Sequence, residues 1–217
     1  MHTLIISGGT IDTDFALDLL KKEKYDHIIG VDGALKFCKE QNIVPTRIVG
    51  DFDTLDPEIL TWYQTHTQIE IRQFNPVKDA TDTQIAIELA MELGSRKITL
   101  IGGTGTRLDH VLGNIQTLYL PFAKGIDCRI VDAHNRIRLV SGELHLKMTE
   151  QWGKYVSLIP FTTDVEGVDL IGFKYPLEKF SFTVLGTGSR GVSNEIAEEE
   201  AVIRIEKGIM ILVESKD

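Results

Sequence analysis

The stretch KITLIGGTGTRLDHVLGNI, residues 97–115, contains a candidate strand, a glycine-rich turn and the start of a helix in succession. Residues 97–101 are mostly apolar and β-branched without alternation, which is typical of a strand covered on both faces. Glycines and threonines follow at once, and Leu112 and Ile115 then continue a helical pattern after Asp109. A strand that turns into a helix in this way is the repeating unit of a parallel sheet with helical crossovers.

The same alternation of strand and helix extends over roughly the first 132 residues. Further apolar runs that predict strands lie at residues 3–7, 27–31, 47–49, 69–72 and 128–131. Helical patterns separate them: Asp56 followed by Pro57 predicts a helix start, and the apolar stripe from Ile85 to Leu93 ends at Gly94. The first part of the chain is therefore predicted to be an α/β, Rossmann-like domain with a doubly wound parallel sheet.

The remainder of the chain has a different pattern, without a helix of useful length. Short strands are predicted at residues 137–140, 144–147, 155–159, 164–170, 181–185, 201–206 and 209–214. Lys207-Gly208 is interpreted as a hairpin turn between the last two strands. We therefore predict two domains, residues 1–133 and 134–217, of which the second is a small antiparallel β-sandwich or barrel.

Composition and charge exclude several classes of protein. The chain has 217 residues with 23 Lys and Arg against 32 Asp and Glu, a formal charge of −9, which argues against a nucleic-acid partner. No apolar run approaches the roughly 20 residues of a membrane helix, and the N-terminus lacks the features of a signal peptide. The two cysteines, Cys38 and Cys128, are widely spaced in the sequence, which favours two free thiols over a disulfide or a metal site. We expect a cytoplasmic protein without a membrane or nucleic-acid partner.

Five polar motifs each follow a predicted strand, so they are expected at one edge of the sheet, where open parallel sheets bind ligands. They are residues 7–10, 32–33 with Asp32, 50–53, 75–82 and 102–109. In Gly50-Asp51-Phe52-Asp53 the two carboxylates have extended spacing and point the same way. Close carboxylates repel, and Mg²⁺ would compensate them. An Asx turn after the strand is the alternative explanation.

Two other motifs lie at predicted helix starts. The segment 78–82 places Lys78 where it could contact phosphate and Asp82 where it could face a metal, whereas Asp79 or Thr81 could simply cap the helix. In the glycine-rich turn 102–110, backbone N–H groups could approach phosphate and Arg107 could form a phosphate fork. Asp109 could be a further carboxylate of the site or the helix N-cap. His110 is interpreted as a residue for helix-face packing or a hydrogen bond, with a general base as the alternative.

Four motifs, in this order along the chain, resemble those of the bacterial thiamine pyrophosphokinase family. They are Gly50-Asp51-Phe52-Asp53-Thr54, residues 78–82, residues 104–110 with Asn114, and Ser193-Asn194-Glu195. The resemblance implies transfer of a pyrophosphoryl group from ATP to the hydroxyl of thiamine, giving thiamine diphosphate and AMP. It also implies Mg²⁺ as cofactor and a homodimer with the site shared between subunits.

The resemblance assigns roles residue by residue. Catalytic roles fall to Asp51, Asp53, Asp82 and Arg107, and the three carboxylates among them are the expected metal ligands. Nucleotide contacts are expected from Lys78, Asp79, Thr104, Arg107 and Asp109. Substrate contacts are expected from Asp32, which also matches an acidic, metal-linked position, and from Ser193 and Asn194 of the second subunit.

The sequence departs from the family pattern at three points. Ala34 stands where a second glycine often follows the position of Asp32, and Thr106 stands where glycine is common. No aromatic residue shortly follows Ser193-Asn194-Glu195 to stack on thiamine. The residues alone leave three rivals: a Mg²⁺-dependent phosphohydrolase, a pyrophosphokinase of another heterocyclic alcohol such as a pterin, and a non-catalytic nucleotide sensor.

Overall fold

The computed structural model describes residues 1–53, 55–73 and 80–217. Within them the chain divides into two compact units, Met1–Ala133 and His134–Asp217. Lys78 and Asp79, both predicted to contact the nucleotide, lie outside the described residues, as does Thr54. Among the helices of the described residues, none is both long and apolar enough to cross a membrane.

The first unit is a parallel sheet with intervening helices. Its strands are β1 (His2–Ile6), β2 (His27–Val31), β3 (Arg47–Gly50), β4 (Glu70–Gln73), β5 (Lys97–Ile101) and β6 (Asp127–Val131). Its helices are α1 (Thr13–Lys22), α2 (Ala34–Glu40), α3 (Pro57–His66), α4 (Asp82–Glu92), α5 (Leu108–Thr117) and α6 (Tyr119–Phe122).

The sheet order in this unit is β6-β5-β1-β2-β3-β4, and all neighbours are parallel. The winding reverses direction between β1 and β5, and the carboxyl ends of the strands at such a switch point are the usual ligand position of this fold. The central strands β1 and β5 are buried at every residue but the first, as their mostly apolar sequences predict. The predicted α/β fold class is confirmed.

The second unit is built on two long, bent strands. Its strands are β7 (Asn135–Lys147), β8 (Tyr155–Pro160), β9 (Asp164–Ile171), β10 (Leu177–Thr183), β11 (Asn194–Glu195) and β12 (Glu200–Ser215). The first part of β12 pairs with β9 and its last part pairs with β8, while β7 pairs with β12 on both sides of an irregularity between Ile205 and Met210. All of these pairings are antiparallel, as predicted.

The predicted hairpin at Lys207-Gly208 is wrong, because both residues lie inside β12. Gly208 has φ +100°, and Gly142, opposite Ile205 on β7, has φ +68°. These two left-handed glycines lie where the register shifts, and such bulges bend paired strands instead of reversing them. One continuous strand can then contribute to two faces of the β-unit. The strand predicted at 181–185 is also displaced, since β10 ends at Thr183.

Candidate active site

The loops after β1 and β5 are bonded to each other beyond the ends of the strands. Backbone N–H groups of Ser7, Gly9 and Thr10 donate to the carbonyls of Ile101, Gly102 and Thr104, each at 2.9 Å. A Cβ on Gly9 would lie inside van der Waals contact with the carbonyl oxygens of Gly102 and Thr104. Glycine is therefore required at this position for the two loops to meet.

A cavity of about 570 Å³ lies at this meeting point. The loops after β1 and β5 form part of its wall, and the first turns of α4 and α5 form another part. Asp32, Asp82, Thr104, Arg107, His110 and Asn114 are among the lining residues. Glycine-rich loops and two helix starts in one cavity favour an anionic ligand.

The helix starts are formed differently from one another. Thr81 caps α4, since its side chain accepts a hydrogen bond from the Gln84 N–H at 3.2 Å, and Asp82 is the first residue of the helix. The N-cap of α5 is Arg107, which makes no side-chain capping bond, so Asp109 lies in the first turn and is not the cap. Residues of both helix starts line the cavity.

Arg107 and Asp109 form a two-point ion pair beside the cavity. Arg107 Nη2 lies 2.6 Å from Asp109 Oδ2, and Nε lies 3.3 Å from Oδ1. This pairing raises the pKa of Arg107 and lowers the pKa of the Asp109 carboxyl. Both side chains are largely exposed, so the pair adds little to stability and a phosphate group could take the place of Asp109.

Three carboxylates from the ends of β2 and β3 form an acidic cluster. Asp32, Asp51 and Asp53 each offer an oxygen, and these oxygens lie within 4.8 Å of one another. Asp51 Oδ1 also accepts a hydrogen bond from the Asp53 N–H at 3.2 Å, so the Asx turn is present as well. The turn and the clustering of carboxylates therefore occur together.

An unusual backbone conformation brings these carboxylates together. Asp32 and Phe52 have φ values of 43° and 60°, a region that side chains rarely adopt. Phe52 is buried in the cluster that includes Leu35 and Tyr63, which anchors the loop between the two aspartates. A Cβ on Gly50 would lie 2.8 Å from the Phe52 ring and 3.2 Å from Asp32 Cα. Packing of Phe52 thus stabilises a strained loop that presents Asp51 and Asp53.

The predicted site residues are distributed differently from the sequence-based assignment. Asp32 belongs to both the acidic cluster and the cavity wall. Asp82 lines the cavity, but among the described residues the cluster within 4.8 Å consists of the other three aspartates.

Two buried or half-buried polar contacts hold the glycine-rich turn. Thr104 Oγ1 donates to Asp132 Oδ2 at 2.8 Å, and Asn114 Nδ2 donates to the Gly103 carbonyl at 2.8 Å. Sequence reasoning assigned no role to Asp132, although its position directly after β6 is the kind of strand-end position that marked the other motifs. Thr104 is therefore held in place by a carboxylate in addition to lining the cavity.

In the β-unit, Asn194 holds an exposed tyrosine in place. Its side-chain amide accepts from the Tyr175 N–H at 3.0 Å and donates to the Tyr175 carbonyl at 2.8 Å. Asn194 is buried, whereas Tyr175 is 59% exposed. Ser193 has φ 59°, and its N–H donates to Ser157 Oγ at 2.9 Å. Sequence reasoning missed Tyr175 because it sought an aromatic residue after Asn194 and not before it.

The comparison with family models matches both units of the chain. Residues 16–130 match "Thiamin pyrophosphokinase, catalytic domain", and residues 142–210 match "Thiamin pyrophosphokinase, vitamin B1 binding domain". These matches identify the chain as a transferase. It belongs to the thiamine pyrophosphokinase family.

Individual relatives agree with this assignment. A thiamine pyrophosphokinase of Bacillus subtilis is 34% identical over 195 residues, which cover 87% of each chain. The crystal structure of thiamine pyrophosphokinase from B. subtilis has a TM-score of 0.86 at 30% identity, with both chains fully covered. That of the Geobacillus thermodenitrificans enzyme has a TM-score of 0.86 at 31% identity, covering 100% of this chain and 98% of that one.

Proposed function

We propose that this enzyme transfers the β,γ-pyrophosphoryl group of ATP to the hydroxyl of thiamine, giving thiamine diphosphate and AMP. The observation that carries the proposal is the position of Asp32, which joins the acidic cluster to the glycine-lined cavity. A nucleotide whose phosphates lie against the cavity wall would then reach the cluster. This is the arrangement that phosphoryl-type transfer requires, since it depends on positioning and charge neutralisation.

The donor set fits Mg²⁺. Three carboxylates at one place are hard oxygen ligands, and Mg²⁺ takes a few of these together with phosphate oxygens and water. Asp32, Asp51 and Asp53 would hold the ion, and Asp82 lies at the adjacent cavity wall. Bound there, Mg²⁺ would neutralise charge on the phosphate groups.

The transfer itself is assigned to residues around the cavity. The thiamine hydroxyl oxygen bonds to the β-phosphorus, the bond from that phosphorus to the oxygen of the α-phosphate breaks, and AMP leaves. Asp82 accepts the hydroxyl proton in this proposal. Arg107 exchanges Asp109 for the transferred group, and Lys78 and Asp79 complete the nucleotide contacts together with Thr104.

The β-unit supplies the thiamine site. Tyr175 presents an exposed ring that suits stacking on a cationic heterocycle, and Asn194 keeps its backbone in position. Ser193 is exposed beside it and available to the substrate. We further propose a homodimer in which these residues serve the cavity of the other subunit.

We assign the enzyme to the cytoplasm, because Cys38 and Cys128 are both free.

Product analysis tests the reaction. The protein is incubated with ATP, Mg²⁺ and thiamine, and AMP is expected to form one-for-one with thiamine diphosphate. Inorganic phosphate or pyrophosphate formed without dependence on thiamine would instead indicate a phosphohydrolase. Turnover only with another heterocyclic alcohol, such as a pterin, would change the acceptor, and binding without turnover at saturating Mg²⁺ would indicate a sensor.

Replacing Tyr175 by alanine is expected to raise the KM for thiamine about tenfold, the usual cost of losing one stacked aromatic contact. Tyr175→Phe keeps the ring and is the matched control, with a KM near that of the wild type. Steady-state kinetics at saturating ATP measure both. An unchanged KM in Tyr175→Ala would remove this ring from the thiamine site.

Mixing two impaired subunits tests the shared site. Asp53→Asn and Tyr175→Ala proteins, unfolded and refolded together in equal amounts at a limiting thiamine concentration, are expected to regain about a quarter of wild-type activity. Random pairing makes one half of the dimers heterodimers, and each heterodimer has one intact site. Each variant refolded alone is the control. If each subunit used only its own residues, the mixture would show no more than the average of the two.

A further inference from the structure

Two pairs of hydroxyl groups join strand β1 to the two ends of helix α4. Ser7 Oγ lies 2.7 Å from Thr83 Oγ1, and Thr3 Oγ1 lies 2.6 Å from Ser95 Oγ. All four residues are buried, with exposed fractions of 7% or less. The chemistry of the two pairs is therefore the same, and only their places in the fold differ.

The two pairs lie at opposite ends of strand β1. Ser7 and Thr83 both line the cavity, near the carboxyl end of β1. Thr3 is near the start of β1, about 13 Å away along the strand, and Ser95 follows Gly94, where α4 has ended. The Ser7–Thr83 pair, unlike the other, thus lies in the wall of the proposed nucleotide site.

Ser7 provides a fixed reference point for the first turn of α4. Its N–H donates to the Ile101 carbonyl at 2.9 Å, so the adjacent strand β5 holds its backbone. Thr83 is the second residue of α4 and directly follows Asp82, and it is buried against β1. The hydroxyl bond therefore sets where the start of α4 lies relative to the loop that begins at Gly8.

We propose that Ser7 and Thr83 are positioning residues of the transfer reaction, which hold Asp82 at the cavity through the first turn of α4. This inference rests on the proposed function. The two hydroxyls act as a unit, so removing either should have the same effect as removing both. A small displacement of a catalytic group is enough to slow a reaction considerably.

Ser7→Ala, Thr83→Val and the double variant test the proposal, with kcat, KM for ATP and melting temperature measured for each. We expect kcat to fall about tenfold in all three, the kinetic equivalent of one buried hydrogen bond. KM for ATP is expected to stay within about twofold, since the substitutions retain the backbone hydrogen bonds of Ser7, Gly9 and Thr10 that hold the loop beside the nucleotide. Thr83→Ser keeps the hydroxyl and should retain most of kcat.

The melting temperature separates positioning from mere stability. A single substitution leaves one buried hydroxyl unpaired and lowers the melting temperature, whereas removing both hydroxyls restores much of it. If the pair served only stability, kcat would recover together with the melting temperature in the double variant. We expect kcat to stay low there.

Thr3→Val combined with Ser95→Ala is the matched control. It removes the same kind of bond between β1 and the region of α4, and it should leave kcat unchanged. A wild-type kcat in the Ser7→Ala, Thr83→Val double variant, or an equal loss in the control, would overturn the inference and leave the proposed function intact. Absence of thiamine diphosphate with the wild-type protein would overturn both.

Discussion

Turnover of Asp53→Asn is expected to fall at least about a hundredfold, the scale on which a single preorganised electrostatic group contributes to catalysis. Asp53 is the exposed member of the three-carboxylate cluster. An amide has nearly the same shape as the carboxylate but carries no charge, so the variant separates the charge of the cluster from its packing. The measurement is AMP formation at saturating ATP, Mg²⁺ and thiamine.

Asp56→Asn is a matched control for this substitution. Asp56 lies three residues further along the chain and caps α3 by accepting a hydrogen bond from the Glu58 N–H at 2.9 Å. Asparagine caps helices about as well as aspartate, so this variant loses the same charge without losing the contact. Its activity should match the wild type. Near-normal AMP formation by Asp53→Asn would remove Asp53 from the metal site.

Gly9→Ala is expected to lower the free energy of unfolding by about 1–3 kcal/mol and to abolish most of the activity. The new methyl group would meet the carbonyl oxygens of Gly102 and Thr104, both backbone atoms that belong to the opposite loop. Relieving the contact would separate the loops after β1 and β5, which form the cavity wall. Denaturant titration and AMP formation measure the two effects.

Gly113→Ala is the corresponding control within the same unit. Gly113 lies in the exposed middle of α5, and a Cβ there would meet nothing within 4 Å beyond its chain neighbours and the helix's own backbone. Because alanine is the better helix former, this variant should be more stable by about 0.5–1 kcal/mol and fully active. A Gly9→Ala protein as stable and active as Gly113→Ala would show that the loops do not need their close approach.

Local sequence signals described the α/β unit well. Each predicted strand there lies within one residue of its observed bounds, because buried parallel strands are continuous apolar runs. The helix start at Asp56-Pro57 was also predictable, since capping depends on neighbours along the chain. In the β-unit the same reasoning failed at Lys207-Gly208, because a left-handed glycine can form a hairpin turn or a bend within one strand. Only the pairing with strands β7, β8 and β9 decides which of the two forms.

In the candidate site, too, the sequence predicts part of the arrangement and tertiary packing decides the rest. Positions that follow predicted strands are enough to identify Asp32, Asp51, Asp53 and Asp82 as candidate site residues. Which of these carboxylates come within reach of one another depends on the backbone of Asp32 and Phe52 and on the packing of the Phe52 ring. Tyr175 could not be found from motif spacing, because it is distant from Asn194 in the sequence and only the fold brings the two into hydrogen-bond contact.

The sequence by itself determined the order of strands and helices, the parallel sheet and the edge where polar residues gather, since these follow from local periodicity and from the geometry of crossover connections. Tertiary structure alone decided which carboxylates share a site, which hydroxyls bond across 76 residues between β1 and α4, and how β12 bends. The physical reason is that these features depend on distances between segments remote in the chain, which packing sets and local propensity does not.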